Sequence, residues 1–123
     1  MEPEPVRGGP RSFIDPANTL VWFTMDALWL AKLTWPAYVA AVLTVATGVW
    51  LLGLSRKAGR GAVFADLGMN CWIAMNVIWM AHDLNGHETP RAVAAALGAL
   101  GVGFFWAAAR TAQDIRRVRI LRR

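Results

Sequence analysis

The sequence predicts an all-α fold: a four-helix polytopic membrane bundle made of two tandem, parallel helical-hairpin repeats. Three observations carry that expectation. First, 56% of the 123 residues are apolar, and they gather into four runs at about 16–33, 36–54, 63–81 and 90–109. Each run is near the ~20 residues that a helix needs to cross ~30 Å of hydrocarbon. Second, of thirteen Lys and Arg, eleven fall in the N-terminal tail, the middle connection and the C-terminal end, and only Lys32 and Arg91 fall in the other two connections. That asymmetry is the positive-inside pattern of a multi-pass cell-membrane protein with both termini cytoplasmic. Third, WFTMDALWLAK at 22–32 returns as WIAMNVIWMAH at 72–82.

The elements follow in order. Residues 1–15 hold prolines, glycines and mixed charges with little to bury, and read as a disordered cytoplasmic tail. Asp15-Pro16 offers an N-cap followed by proline at the first helical position, where its missing N–H costs nothing. The first helix is therefore expected from Pro16 to about Leu33, followed by a tight turn at 34–36 with Trp35 as an interfacial anchor. The second helix starts at Pro36 and ends near Leu54. Residues 37–54 carry no charge, whereas a soluble helix shows a polar face every 3.6 residues. Residues 58–61 read as a flexible basic loop. The third helix ends near His82, and Thr89-Pro90 repeats the cap-then-proline signal for a fourth helix ending near Arg110.

The membrane domain is thus 16–110, with repeat one at about 16–57 and repeat two at about 63–110. The second helix echoes in the fourth: Pro36, Val39, Ala40, Ala41 and Leu43 return as Pro90, Val93, Ala94, Ala95 and Leu97. Two spans per repeat keep both copies in one orientation, so the pseudo-two-fold axis is expected along the membrane normal. Small residues at spacing four, Ala40, Thr44 and Gly48 in one helix and Ala95, Ala99, Gly103 and Ala107 in the other, are expected to let backbones approach closely. The tail 111–123 is a basic juxtamembrane segment suited to anionic lipid headgroups. With the cations explained by orientation, no nucleic-acid partner is expected; the partners are the bilayer and either a second copy or another membrane subunit.

Asp26 is the residue that demands explanation. Counted from Pro16 it lies about 15 Å along the helix, near the bilayer midplane, where a carboxylate costs about 2.5–3.5 kcal/mol on the insertion scale. Trp22, Asp26 and Trp29 share one helical face, as do their counterparts Trp72, Asn76 and Trp79. An axis between the first and third helices would bring Asp26 and Asn76 together among four indoles. Lys32, His82, Asp83 and Glu88 are placed about two turns outward, as a mouth above that level.

This constellation suits a ligand or proton site for proton- or cation-linked binding or transport, with indole faces available to a cation. The alternative is a structural or accessory subunit in which the Asp26/Asn76 pair fixes helix docking. No metal or other cofactor is expected. The spacing of His82, Asp83, His87 and Glu88 matches no closed zinc site, and Met69, Cys71, Met75 and Met80 read as core filler. A conventional enzyme is not expected, because neither a Ser/His/Asp arrangement nor a phosphate-binding glycine loop occurs.

Overall fold

A computed structural model describes residues 9–121 and contains four helices: α1 (Pro10–Leu30), α2 (Thr34–Ala58), α3 (Arg60–Leu84) and α4 (Arg91–Leu121). Three of them, α2, α3 and α4, are long and apolar enough to cross a membrane. α1 is the fourth helix of the expected set but falls short of that apolarity, because Arg11, Asp15, Asn18 and Asp26 interrupt it.

Helix α1 begins six residues before the expected Pro16, so residues 10–15 belong to the helix and not to a disordered tail. Gly9 takes the N-cap position in extended backbone, Pro10 stands at the first helical position, and both Ser12 N and Ser12 Oγ donate to Gly9 O, at 2.9 and 2.7 Å. The same cap-then-proline logic therefore operates one step upstream, and Pro16 is tolerated inside the helix. The expected tail at 1–8 lies outside the described residues.

The C-terminal end of α1 is closed by a Schellman pair. Leu33 N donates to Leu28 O at 3.0 Å and Lys32 N to Trp29 O at 2.8 Å, with Lys32 in the left-handed region at φ 56°. α3 ends the same way, with Gly86 (φ 69°) in the left-handed position, His87 N on His82 O and Gly86 N on Asp83 O. Glycine occupies that conformation without strain, and lysine does not.

The expected basic loop between α2 and α3 shrinks to one residue, Gly59, which ends one helix and starts the next. Gly59 N donates to Ser55 O, and Gly59 O accepts from Val63 N, both at 3.2 Å. Its φ of 111° with ψ of 171° is a region that side chains avoid. Gly59→Ala, with open space around the added Cβ, should therefore cost about 1–2 kcal/mol through backbone strain alone. A lowered unfolding midpoint in detergent micelles, with unchanged helical content, is the expected reading.

The helices pack as a folded row. Among the described residues, α2 and α3 form the central pair, α1 lies on α2, and α4 packs on α3 alone, touching neither α1 nor α2. α1 and α3 meet only narrowly, so the face-to-face meeting of the first and third helices does not form: α2 occupies that position. The fully buried side chains of Met25 and Met80 close over Ala37, Ala40 and Ala41 of α2, flanked by Trp22, Trp29, Tyr38 and Val77. Ala40, Thr44 and Gly48 are buried as expected. The α4 row is not: Ala95, Ala99 and Gly103 face outward. The close approach of α4 to α3 uses Gly68 under the Phe105 ring and Gly101 against Cys71 instead. Large apolar side chains such as Phe23, Val42, Trp50, Val102 and Trp106 are exposed around the row, as lipid-facing side chains are where no hydrophobic effect draws helices together.

α4 also continues beyond the expected end near Arg110, as one helix to Leu121. Nothing in 110–121 is a glycine or proline, so loss of apolarity there does not break the helix.

Candidate functional site

Asp26 lies on the half of α1 that ends at Leu30. With the helix starting at Pro10, it stands about 24 Å from the first residue and about 6 Å from the last. It is therefore nearer one end of the helix than the middle, because the helix starts at Pro10 and not at the expected Pro16.

Among the described residues, its buried Oδ1 has no hydrogen-bond partner, and the buried Nε1 of Trp22 has none either. The two residues are four apart, one turn along the same face of α1. A buried polar atom left unpaired costs about 1–3 kcal/mol, and here a donor and an acceptor are left so on adjacent turns. The expected bond between Asp26 Oδ1 and Asn76 is not made. Asn76 is buried on α3 at 7% exposure, but α2 separates most of α3 from α1.

The four indoles do not surround a single point. Trp29 of α1 and Trp79 of α3 meet edge to face, with ring centroids 5.6 Å apart at 69°. Trp72 turns toward α4, beside Gly68, Met75, Gly98 and Phe105. The division follows from the row packing: α3 presents one side to α1 and α2 and another to α4.

The mouth residues assemble in part. The Lys32 ammonium pairs with Asp83 Oδ2, and the same oxygen accepts from Trp29 Nε1 at 2.7 Å. His82 Nδ1 lies 2.8 Å from Ile78 O of its own helix, and Glu88 is exposed in the connection. Among the described residues, no group of three or more His, Cys, Asp or Glu is gathered to hold a metal ion.

A second polar cluster, outside the repeated motif, joins the other halves of three helices. Asn18 Nδ2 of α1 donates to Thr44 O at 3.1 Å and Thr47 Oγ1 at 2.7 Å on α2. Asn70 Nδ2 of α3 donates to Gly48 O at 3.1 Å and to Asp66 O at 2.8 Å. Arg11 grips the two oxygens of Asp66 through separate nitrogens, at 2.9 and 3.2 Å, a fork geometry that suits a carboxylate. Gly48 stands at the centre: a Cβ there would meet Asn70 Oδ1 at 3.0 Å and Ile73 Cδ1 at 3.1 Å. The sequence signal for this cluster was available, since Asn18 and Asn70 are amides within apolar runs just as Asn76 is. They do not repeat at a fixed offset, so the motif did not point to them.

No family model matches the chain, and neither a curated protein nor a solved structure does.

Proposed function

We propose that the chain is a four-span membrane protein of two parallel hairpin repeats, with Asp26 as a polar intramembrane site for proton- or cation-linked binding or transport. The observation that carries this is the unpartnered Asp26 Oδ1 beside the unpartnered Trp22 Nε1. A carboxylate kept in an apolar helix without a structural partner is a group available to something else.

Two ion pairs support α1 as the fourth span. Arg11–Asp66 and Lys32–Asp83 tie α1 to α3 near its two ends. The residues between them span about 32 Å on α1 and about 26 Å on α3 at 1.5 Å per residue. Those lengths bracket a hydrocarbon core of about 30 Å. The cation asymmetry favours both chain ends in the cytoplasm, and the exposed Arg116, Arg117 and Arg119 of α4 suit anionic headgroups there.

The test is flux. In proteoliposomes carrying a pH gradient, Asp26→Asn should keep the helical content and the monomer's unfolding midpoint within about 1 kcal/mol of the parent, as amide and carboxyl are near-isosteric. It should abolish proton-driven movement of protons or cations. A folded variant with undiminished flux excludes an ionisable role for Asp26.

The second reading is a structural or accessory subunit. Asn18 and Asn70, which bond across helices and fix register, favour it as an account of the polar residues in general. In that reading Asp26→Asn leaves any flux at zero in both proteins and weakens binding to a copurified membrane partner or second copy.

A further inference from the structure

The two ends of α1 are held in different ways. At the Arg11 end, a forked ion pair reaches Asp66, whose side chain is only 14% exposed. The buried Asn18 adds two bonds to α2 within two turns, and Gly48 brings the three backbones together. At the Lys32 end, one ion pair joins side chains that are 62% and 38% exposed. Solvated pairs of that kind are weak and easily exchanged. Lys32 also holds its position in a left-handed backbone, where a glycine would close the same Schellman turn without strain. A strained residue whose charge reaches across to another helix is a feature to be read functionally.

Asp26 lies six residues from Lys32 and fifteen from Arg11, about 9 Å and about 22 Å along the helix. Trp29, one turn beyond Asp26, is drawn to Asp83 by its indole N–H and braced by Trp79. From the opposite direction, the fully buried Met25 and the Asn18–Gly48–Asn70 cluster intervene.

We infer that Lys32, Asp83 and Trp29 form a latch that closes the approach to Asp26 from the membrane face where α1 ends, the contacts of Met25 and Leu28 with α2 staying in place. This rests on the reading of Asp26 as a site and adds to it the side of entry and the residues that control it. When the Lys32–Asp83 pair parts, Asp83 no longer holds the Trp29 indole, which is then free to swing off Trp79, while α1 itself stays packed on α2 through Met25 and Leu28.

The experiment reads accessibility in the full chain, reconstituted in phosphatidylcholine vesicles. Cys71→Ser removes the natural thiol, and Asp26→Cys supplies the reporter, with Trp22→Cys as a second should the first fail to fold. A membrane-impermeant maleimide is applied from each face. Lys32→Gly and Asp83→Asn should each raise the labelling rate about tenfold from the Lys32 face, as expected when a minor open state of a few per cent becomes common. The charge exchange Lys32→Asp with Asp83→Lys should restore slow labelling, and Asp66→Asn should leave it slow. Unchanged labelling in Lys32→Gly and Asp83→Asn overturns the latch. So does an equal rise from the opposite face, or a rise as large in Asp66→Asn. Labelling is independent of flux, so a latch over a site that moves nothing is distinguishable from a transport site with no latch.

Discussion

Replacing Asp26 with leucine should make this protein more stable, by about 2–3 kcal/mol, while removing any proton-linked activity. A carboxylate near the centre of a membrane helix costs about 2.5–3.5 kcal/mol on the insertion scale, and leucine is favourable by about half a kcal/mol. Asp26 stands nearer one end of α1 than the middle, which reduces that penalty and sets the lower figure. No structural bond offsets it at Oδ1. The measurement is the unfolding midpoint of Asp26→Leu in mixed micelles, with flux in vesicles taken from the same preparation. A gain in stability with loss of activity is the signature of a group retained for function at the expense of the fold. If Asp26→Leu is instead destabilised by a kcal/mol or more, the carboxylate is bonded within the assembled protein, and the accessory-subunit reading takes precedence.

Gly48→Leu should have the opposite effect and lose about 3 kcal/mol. Its Cβ alone would meet Asn70 Oδ1 and Ile73 Cδ1 at about the limit of contact and come within 3.7 Å of Asn18 Nδ2. Overpacking of this kind costs about 1–3 kcal/mol. Displacing the two asparagines removes interhelical hydrogen bonds worth about 0.6 kcal/mol each in membranes. Gly53→Leu is the matched control: it lies five residues along the same helix with nothing within 4 Å of the added Cβ, and should leave stability unchanged or raise it by up to about 1 kcal/mol. Equal losses at both positions would overturn the three-helix contact as the cause, since helix propensity and insertion both favour leucine over glycine.

The helices themselves were legible because long uncharged runs have few other solutions: α2, α3 and α4 fall where hydropathy places them. Their ends were less so, since the signals for helix boundaries are local and can occur more than once. Asp15-Pro16 is a valid cap-and-proline pair, yet Gly9-Pro10 supplies another upstream, and the helix takes the longer solution. Apolarity likewise marks how much of α4 suits a hydrocarbon layer and not where its backbone hydrogen bonding stops.

The site was legible in its members more than in its arrangement. The sequence places Lys32, His82, Asp83 and Glu88 as one group at one level; the particular pairing of Lys32 with Asp83, and of Trp29 with Trp79, comes from the structure. The Asp26–Asn76 pairing failed because periodicity says which residues share a face but not which helix that face meets. The insertion of α2 between α1 and α3 is decided by Gly48 and by the small side chains of Ala37, Ala40 and Ala41, where narrow surfaces admit two neighbours at once.

The unbroken length of α4 has a mechanical consequence. Its 31 residues extend about 46 Å, and the eleven beyond Arg110 form a rigid arm of about 16 Å past the apolar stretch. Held by α3 alone, such an arm acts as a lever. A reorientation of about 20°, comparable with ordinary tilts of membrane helices, would sweep its tip by roughly 5–6 Å. A change in the packing of α4 on α3 would thus be read out as displacement of Arg116, Arg117 and Arg119 near its tip.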